Sequence, residues 1–388
     1  MNALIHRLFL GASHLGLIFL YLATGINTLY GQSLKLVFAG DIMIHDGQLR
    51  AAKQNDGTYD FSSSFRYVAP ILQEADLAIG NLELTLPGRQ PYAGYPNFRA
   101  PDTLAGTLKD AGFDVLVTAN NHANDSGRRG ILHTLDALYK RDVLYTGTFA
   151  DSLERDTTYP LLIDRNGFRL ALLNYTYGTN DPHISEPCIV NMIDTAQMKR
   201  DLERTHRQNP DLTIVYMHWG DEYHLDENEE QSQLAHRLFH WGADLIVGAH
   251  PHVVQPVKLL HDYRNGQMRR GLVAYSLGNF ISGQIKENTD VGLLLEVTLE
   301  RHPLTGAVVF GQHQYVPVWR HRGYTEEGRR TYTVIPVSAF AKKEDNTLPG
   351  ADRRTMLGVG GRIRKHLRRF HSSERVVSLP SWKNEKMQ

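Results

Sequence analysis

Cysteine is almost absent from this chain of 388 residues, since Cys188 is the only one. A single cysteine excludes an internal disulfide framework and a metal site built from several thiolates. The neighbours of Cys188 include no histidine, which argues against a catalytic thiol. Metal ligands, if there are any, are therefore expected among carboxylates, amides and the nineteen histidines.

The chain also lacks an excess of charge of either sign, with 42 Lys and Arg residues against 42 Asp and Glu residues. This balance gives no indication of a nucleic-acid partner. One local exception is the basic run 362–370, near the end of the chain. We interpret residues 341–388 as a polar and basic C-terminal tail that contains a solvated helix and a frayed end.

Long apolar runs are scarce, and only the stretch from Leu8 to Ile26 approaches the length of a membrane span. The basic pair His6-Arg7 precedes it, and Gly31-Gln32 follows it. This order is typical of a signal peptide cleaved after Gly31, and it also fits an uncleaved N-terminal anchor. Both alternatives predict that residues 1–31 precede the folded domain and that the protein is exported to the periplasm or cell envelope.

Strand and helix patterns alternate in the first part of the chain, which predicts a parallel sheet with right-handed crossovers. The strands are expected at 34–41, 77–80 and 114–120, and the helices at 62–75, 101–111 and 126–141. The middle part predicts a hairpin at 159–175 with an Asn166-Gly167 turn, helices at 193–208 and 231–241, and strands at 212–218 and 245–250. The part after Gly271 is β-rich, with strands at 272–276, 291–299, 308–319 and 332–337. We expect an α/β domain over residues 32–340, with two sheets stacked between helix layers.

Six predicted strand ends carry Gly, Asn or His beside a residue that can ligate a metal. They are Gly40-Asp41, Gly80-Asn81-Leu82-Glu83, Asn120-Asn121-His122, His218-Trp219-Gly220, Ala249-His250-Pro251-His252 and Leu277-Gly278-Asn279-Phe280. Ligands of α/β proteins bind beyond the carboxyl ends of strands. Divalent cations are bound by carboxylate oxygens and neutral imidazoles, which this set supplies. Each residue alone could cap a helix or hold a turn, but their joint occurrence favours a metal site.

These segments resemble the bacterial capsule-synthesis CapA family, which is linked to poly-γ-glutamate capsules. The resemblance covers about 34–299 and rests on all six segments in the same order. That family is similar to the calcineurin-like metallophosphoesterases, so the resemblance implies a four-layer α-β-β-α sandwich, metallo-dependent phosphatase-like in its fold.

The resemblance also implies roles for individual residues. The implied metal ligands are Asp41, Glu83, Asn121, His218, His250 and His252. The implied catalytic residue is His122, which would aid the leaving group. The chain departs from the metallophosphoesterase pattern in two ways. Met43 occupies a histidine position, and the bridging aspartate is missing, so we expect Glu83 to take its place. One metal site, made of Asn121, His218, His250 and Glu83, then has a complete set of ligands, and a second, made of Asp41, Glu83 and His252, has few.

The expected cofactor is one or two divalent ions of Mn, Zn, Fe or Mg, which would activate water. Glu222, shortly after His218, is a candidate base or substrate anchor, although it could equally be an exposed loop acid. The expected partners are an anionic envelope polymer or its precursor and the membrane-bound capsule machinery. Two functions remain open, a metal-dependent hydrolase or transferase and a non-catalytic component that binds or exports the polymer. A general phosphoesterase is disfavoured by Met43, and a Gly-Asp-Ser hydrolase is excluded because Ile42 follows Asp41.

Overall fold

The protein is described here from a computed structural model, which covers residues 32–264, 267–325, 327–341, 348–370 and 373–377. The predicted signal peptide or anchor at 1–31 lies outside the described residues. The helices are α1 (Asp46–Ala52), α2 (Ser62–Phe65), α3 (Ala69–Gln73), α4 (Thr103–Ala111), α5 (Gly127–Tyr139), α6 (Ser152–Thr158), α7 (Thr195–His206), α8 (Glu229–Trp241) and α9 (Gly350–Leu367), followed by a 3-10 turn at Arg368–Phe370.

The strands form two large sheets and one small one. The first eight are β1 (Ser33–Ile42), β2 (Leu77–Leu82), β3 (Val115–Val117), β4 (Leu144–Thr146), β5 (Thr148–Phe149), β6 (Leu161–Arg165), β7 (Phe168–Thr176) and β8 (Ile189–Val190). The others are β9 (Leu212–His218), β10 (Leu245–Ala249), β11 (Val257–Arg264), β12 (Gln267–Ala274), β13 (Asn279–Ile281), β14 (Val291–Arg301), β15 (Val308–Tyr324), β16 (Arg330–Pro336) and β17 (Ser373–Glu374).

The first large sheet has nine strands and joins both ends of the described chain. Its main path is β16-β15-β14-β1-β2-β3-β4, with β13 also paired to β1 and β17 to β15. The pairs from β1 to β4 are parallel, whereas β14, β15 and β16 pair antiparallel. The expected α/β beginning and β-rich end therefore meet in one sheet.

The second large sheet has the order β11-β12-β10-β9-β7-β6. Its central strands β7, β9, β10 and β12 are parallel, and antiparallel hairpins close both edges. The predicted hairpin at Asn166-Gly167 is confirmed, since both residues adopt the positive φ values, 50° and 79°, that a tight hairpin turn requires.

The core consists of layers on both faces of both sheets, which explains the continuous apolar runs of the central strands. Along β1, Leu36 and Phe38 face the second sheet in one buried cluster, while Val37 and Ala39 pack in another with the helices α1 to α4. Residues of β9 alternate in the same way between the first sheet and helices α7 and α8. The four-layer α-β-β-α arrangement is confirmed.

Two details of the predicted elements are wrong. The helix expected at 62–75 is divided into α2 and α3, because Pro70, the second residue of α3, has no amide hydrogen with which a continuous helix could be bonded. The tail beyond 340 is not simply solvated: α9 buries Met356, Val359, Ile363 and Leu367 in the cluster that also contains Trp319 and Ile335 of the first sheet. Among the described residues, no helix combines the length and apolarity needed to cross a membrane.

Candidate metal centre

The polar residues at the strand ends come from both sheets and meet where their carboxyl ends face each other. Asp41, the second-last residue of β1, pairs in register with Asn81 of β2 on one side and Asn279 of β13 on the other. His218 ends β9, beside Ala249 of β10. The backbone therefore delivers one part of the site from each sheet.

Asp41 is fully buried and bonded at both carboxylate oxygens. Asn81 Nδ2 donates to Oδ1 at 2.8 Å, and His252 Nδ1 lies 3.0 Å from Oδ2. The backbone N–H of His250 also donates to Oδ2, at 3.3 Å. Burial opposes ionisation of Asp41, but the hydrogen bond to His252 and its charge hold the pKa of the carboxyl well below its usual range. Asp41 is therefore a carboxylate that fixes the orientation of His252.

Glu83 is also fully buried, but neither of its carboxylate oxygens accepts a hydrogen bond from a described residue. Its Oε1 lies 3.7 Å from His218 Nε2 and 3.9 Å from His252 Nε2. Burial, and then the charge of Asp41, raise the pKa of Glu83 well above its usual range. A buried carboxyl without donors is costly unless a proton or a cation compensates for its charge.

Two more ligand candidates, Asn121 and His250, lie beside His218. Asn121 Oδ1 is 2.8 Å from His218 Nε2. The other ring nitrogen, Nδ1, is 3.2 Å from Asn81 Nδ2. The ring of His250 is centred 4.8 Å from that of His218 and 5.9 Å from that of His252. Burial lowers the pKa of His250 to about 3, so its ring is neutral and can ligate a metal.

The donor set fits a divalent cation. Glu83, His250 and His252 offer ligand atoms within 4.8 Å of one another, and so do Asp41, Glu83 and His218. Glu83 belongs to both groups, and its oxygens and His250 Nδ1 are the buried atoms here without a hydrogen-bond partner among the described residues. Carboxylate and imidazole ligands suit Zn, Mn or Fe better than Ca. One ion, or two that share Glu83, would satisfy these atoms.

The structure brings together all six expected ligands. His218 lies beside Asn121 and His250, and His252 lies beside Asp41, as in the expected division. The two groups that share Glu83 also join His218 to Asp41 and His252 to His250, so the two expected sites are close neighbours. The reason is tertiary: β1 and β9 face each other across the two sheets, and the loop at 250–252 follows β10 directly beside the end of β9. Asn121 reaches the centre through its contact with His218.

His122 lies next to the centre and has a partner that the sequence did not reveal. Asp125 Oδ2 is 2.7 Å from His122 Nδ1, and the ring of Phe98 packs against the imidazole at 4.6 Å. Both polar side chains are buried, with 5% and 1% of their surface exposed. Asp125 thus orients His122, and the other ring nitrogen, Nε2, lies 3.4 Å from the side-chain amide nitrogen of Asn180.

Glu222 lies at the rim of the centre rather than inside it. Its side chain is 42% exposed, and its Oε1 is 3.9 Å from His252 Nε2. The adjacent Tyr223 ring is centred 6.0 Å from His252, and Tyr177 covers His250 at 4.5 Å. This position fits contact with a substrate better than ligation of a buried metal.

His45 lies outside both ligand groups, as its displacement in the sequence predicts. Its Nδ1 accepts a hydrogen bond from the backbone N–H of Gly283 at 3.0 Å, and its ring packs on Phe98. Burial lowers the pKa of His45 to about 4. Met43, at the position where the expected pattern has a histidine, is buried in the apolar cluster beneath the helices.

Several asparagines complete the centre, and their roles could not be assigned from the sequence. Asn81 bridges Asp41 and His218, Asn120 donates to Asn81, and Asn279 Oδ1 lies 3.2 Å from His252 Nδ1. Their position in the strand-end segments was a visible signal. Residues that orient metal ligands are common in such sites.

The chain resembles known proteins in sequence and in fold. A family model described as bacterial capsule synthesis protein PGA_cap matches residues 35–284. The chain is 31% identical to the capsule biosynthesis protein CapA of Bacillus anthracis over 263 residues, which are 65% of this chain and 61% of that protein. It is 30% identical to the PGA biosynthesis protein CapA of Bacillus subtilis (strain 168) over 299 residues, 71% of this chain and 70% of that protein. Its match therefore spans less than two thirds of the Bacillus anthracis protein.

A solved phosphatase from Mycoplasma pneumoniae is similar in fold, with a TM-score of 0.38. The two sequences are 15% identical, and the match covers 74% of this chain and 94% of that chain.

Proposed function

This chain belongs to the PGA_cap family of bacterial capsule synthesis proteins. On that basis we propose that it is a metal-dependent hydrolase or transferase that acts on poly-γ-glutamate or a related envelope polymer. The observation that carries this proposal is the pair of ligand groups sharing Glu83, whose buried oxygens have no other partner among the described residues. A site built only to stabilise the fold would not bury a carboxylate in this way.

The residues of the site divide into three tasks. Asp41, Glu83, His218, His250 and His252, with Asn121, would hold the cation, which would supply a Lewis acid that polarises the reacting group. His122, oriented by Asp125, can give a proton to the leaving group from Nε2. Glu222, at the rim, can anchor the substrate or accept a proton.

The proposal includes export, so that the centre meets the polymer outside the cytoplasm, together with the membrane-bound capsule machinery. A non-catalytic role in binding or exporting the polymer is the second candidate. It is favoured by Met43, a buried methionine where the related enzymes place a metal ligand.

Metal analysis combined with a cleavage assay separates these functions. We expect the purified full-length chain to carry a stoichiometric divalent metal and to shorten poly-γ-glutamate, and the variant Glu83→Gln to lose both properties. Glu203→Gln, at an exposed position on α7, is the matched control and should retain both. Bound metal without any cleavage would favour the non-catalytic role, and wild-type protein without metal would contradict the metal centre.

A further inference from the structure

A cavity of about 220 Å³ lies beside the proposed centre and is lined by Arg89, Arg99 and Arg129. The eight lining residues include no carboxylate. Ser126 and Gly130, at the beginning of α5, form another part of the wall. The cavity is therefore cationic and small, suited to a single anionic group rather than to a drug-sized ligand.

Arg99 interacts electrostatically with the nearby carboxyl of Asp125, whereas Arg89 and Arg129 have no acidic partner among the described residues. No ion pair or side-chain hydrogen bond joins any of them to a described residue, and the Nε of Arg99 is buried without an acceptor. Like charges held together without compensation repel each other. An anion between the guanidinium groups would remove this repulsion and supply charge-assisted hydrogen bonds.

The cavity and the metal centre share one wall. Phe98 packs its ring on His122, and the next residue, Arg99, lines the cavity. Asp125 binds His122, and the next residue, Ser126, lines the cavity. The two segments are joined by a hydrogen bond from the Phe98 N–H to Asp125 Oδ2. A ligand in the cavity thus lies one layer of residues away from the proposed proton donor.

A second cavity, of about 570 Å³, shares Arg129 with the first. Its other lining residues are Arg128, Leu132, His133 and Asp136 of α5, so it combines two arginines with a carboxylate and an apolar side chain. The two cavities together give room for a ligand longer than a free inorganic anion, with the first cavity as the cationic part.

We propose that the arginine cavity, formed by Arg89, Arg99 and Arg129, binds a carboxylate of an anionic polymer while another unit of the same chain lies at the metal centre. The choice of polymer rests on the proposed function, but the binding does not require the metal or the reaction. Arg99 and Arg129 act as binding residues, each contributing a charged hydrogen-bond donor to the carboxylate.

The test measures binding of a fluorescent γ-linked glutamate decamer to the full-length chain by anisotropy, at low salt and with a chelator present. We expect Arg99→Gln and Arg129→Gln each to raise the Kd about tenfold, since each removes one charge-assisted contact. Arg237→Gln, at an exposed position of α8 on the opposite layer, should leave the Kd unchanged. Because the assay contains neither metal nor cleavage, the two proposals fail independently.

Three results would overturn the inference: no binding of the decamer to the wild-type chain, unchanged binding by both arginine variants, or competition by inorganic phosphate as strong as by unlabelled decamer. Thermal unfolding of each variant provides the folding control. If Arg99→Gln does not fold, Arg129→Gln decides alone, since Arg129 is exposed and lies near the start of a helix.

Discussion

His250 and His252 adopt backbone conformations that side chains rarely tolerate, with φ values of 97° and 59° on either side of Pro251. Non-glycine residues with positive φ are strained, and such strain is concentrated at functional sites. The conformation brings both imidazoles towards Glu83 and lets the N–H of His250 reach Asp41. The strained backbone therefore places both rings and the His250 N–H where they contact the acidic residues of the centre.

Two substitutions at this position isolate the strain. We expect His250→Gly to have a free energy of unfolding about 1 kcal/mol higher than His250→Ala, because both lose the ring and only alanine retains the strain. Urea denaturation with a chelator measures the difference. The same pair at His236, an exposed position inside α8, should show the opposite order, because glycine weakens a helix. Alanine at position 250 as stable as glycine would mean that φ is not strained there.

Metal occupancy should distinguish His250 from His45. His250→Ala removes a ring that lies in a ligand group, whereas His45→Ala removes one bonded to Gly283. Loss of residues that merely orient ligands costs about 10–100-fold in affinity, so loss of a ligand should cost at least as much. Elemental analysis of the two purified variants makes the comparison. Equal metal content would remove His250 from the ligand set.

The candidate ligands could be identified from the sequence because each follows a buried strand, and parallel strands deliver their carboxyl ends to a common edge. The distances between the two expected sites could not, since they depend on how β1 faces β9 across the core. The role of Asp125 also depends on the conformation of a turn, for which the sequence contains no periodic signal.

At the scale of elements, α9 has a buried apolar face that is difficult to recognise in the sequence, because the segment is strongly basic. Met356, Val359, Ile363 and Leu367 have the spacing of one helical face, and all are buried. Arginines and a lysine at intervening positions make the segment basic, and this basic composition is what predicts a solvated helix. The regular helices α5, α7 and α8 were predicted correctly because their apolar and polar faces are clearly separated.

A pair of adjacent residues tests the contribution of α9 to stability. Met356 is 0% exposed, whereas its neighbour Leu357 is 37% exposed. Met356→Ala should lower the free energy of unfolding by about 2–4 kcal/mol, the usual cost of truncating a buried side chain. Leu357→Ala should change it by less than about 0.5 kcal/mol. Denaturant unfolding of the two variants measures both, and similar losses would show that α9 does not depend on this face.

At the scale of the whole molecule, the centre depends on the packing of the two large sheets. The Tyr216 hydroxyl, on β9, donates to the Ala39 carbonyl oxygen of β1 at 2.6 Å, two residues before Asp41 and His218 in their strands. This bond fixes the separation of the strands that carry ligands from both sheets. A cation held between them would bind the folded state alone and would therefore stabilise it.

Export remains a prediction, and it determines whether the centre can meet a polymer outside the cell. Arg7, the apolar stretch from Leu15 to Leu22 and the junction at Gly31-Gln32 are the features that predict it. A fusion of residues 1–48 to a reporter active only after export should be active. The double variant Leu17→Arg and Phe19→Arg should silence it, because charges in the apolar stretch oppose insertion. A silent wild-type fusion recovered intact from the cytosol would refute export, and it would also weaken the capsule assignment, since a cytosolic protein cannot act on exported polymer.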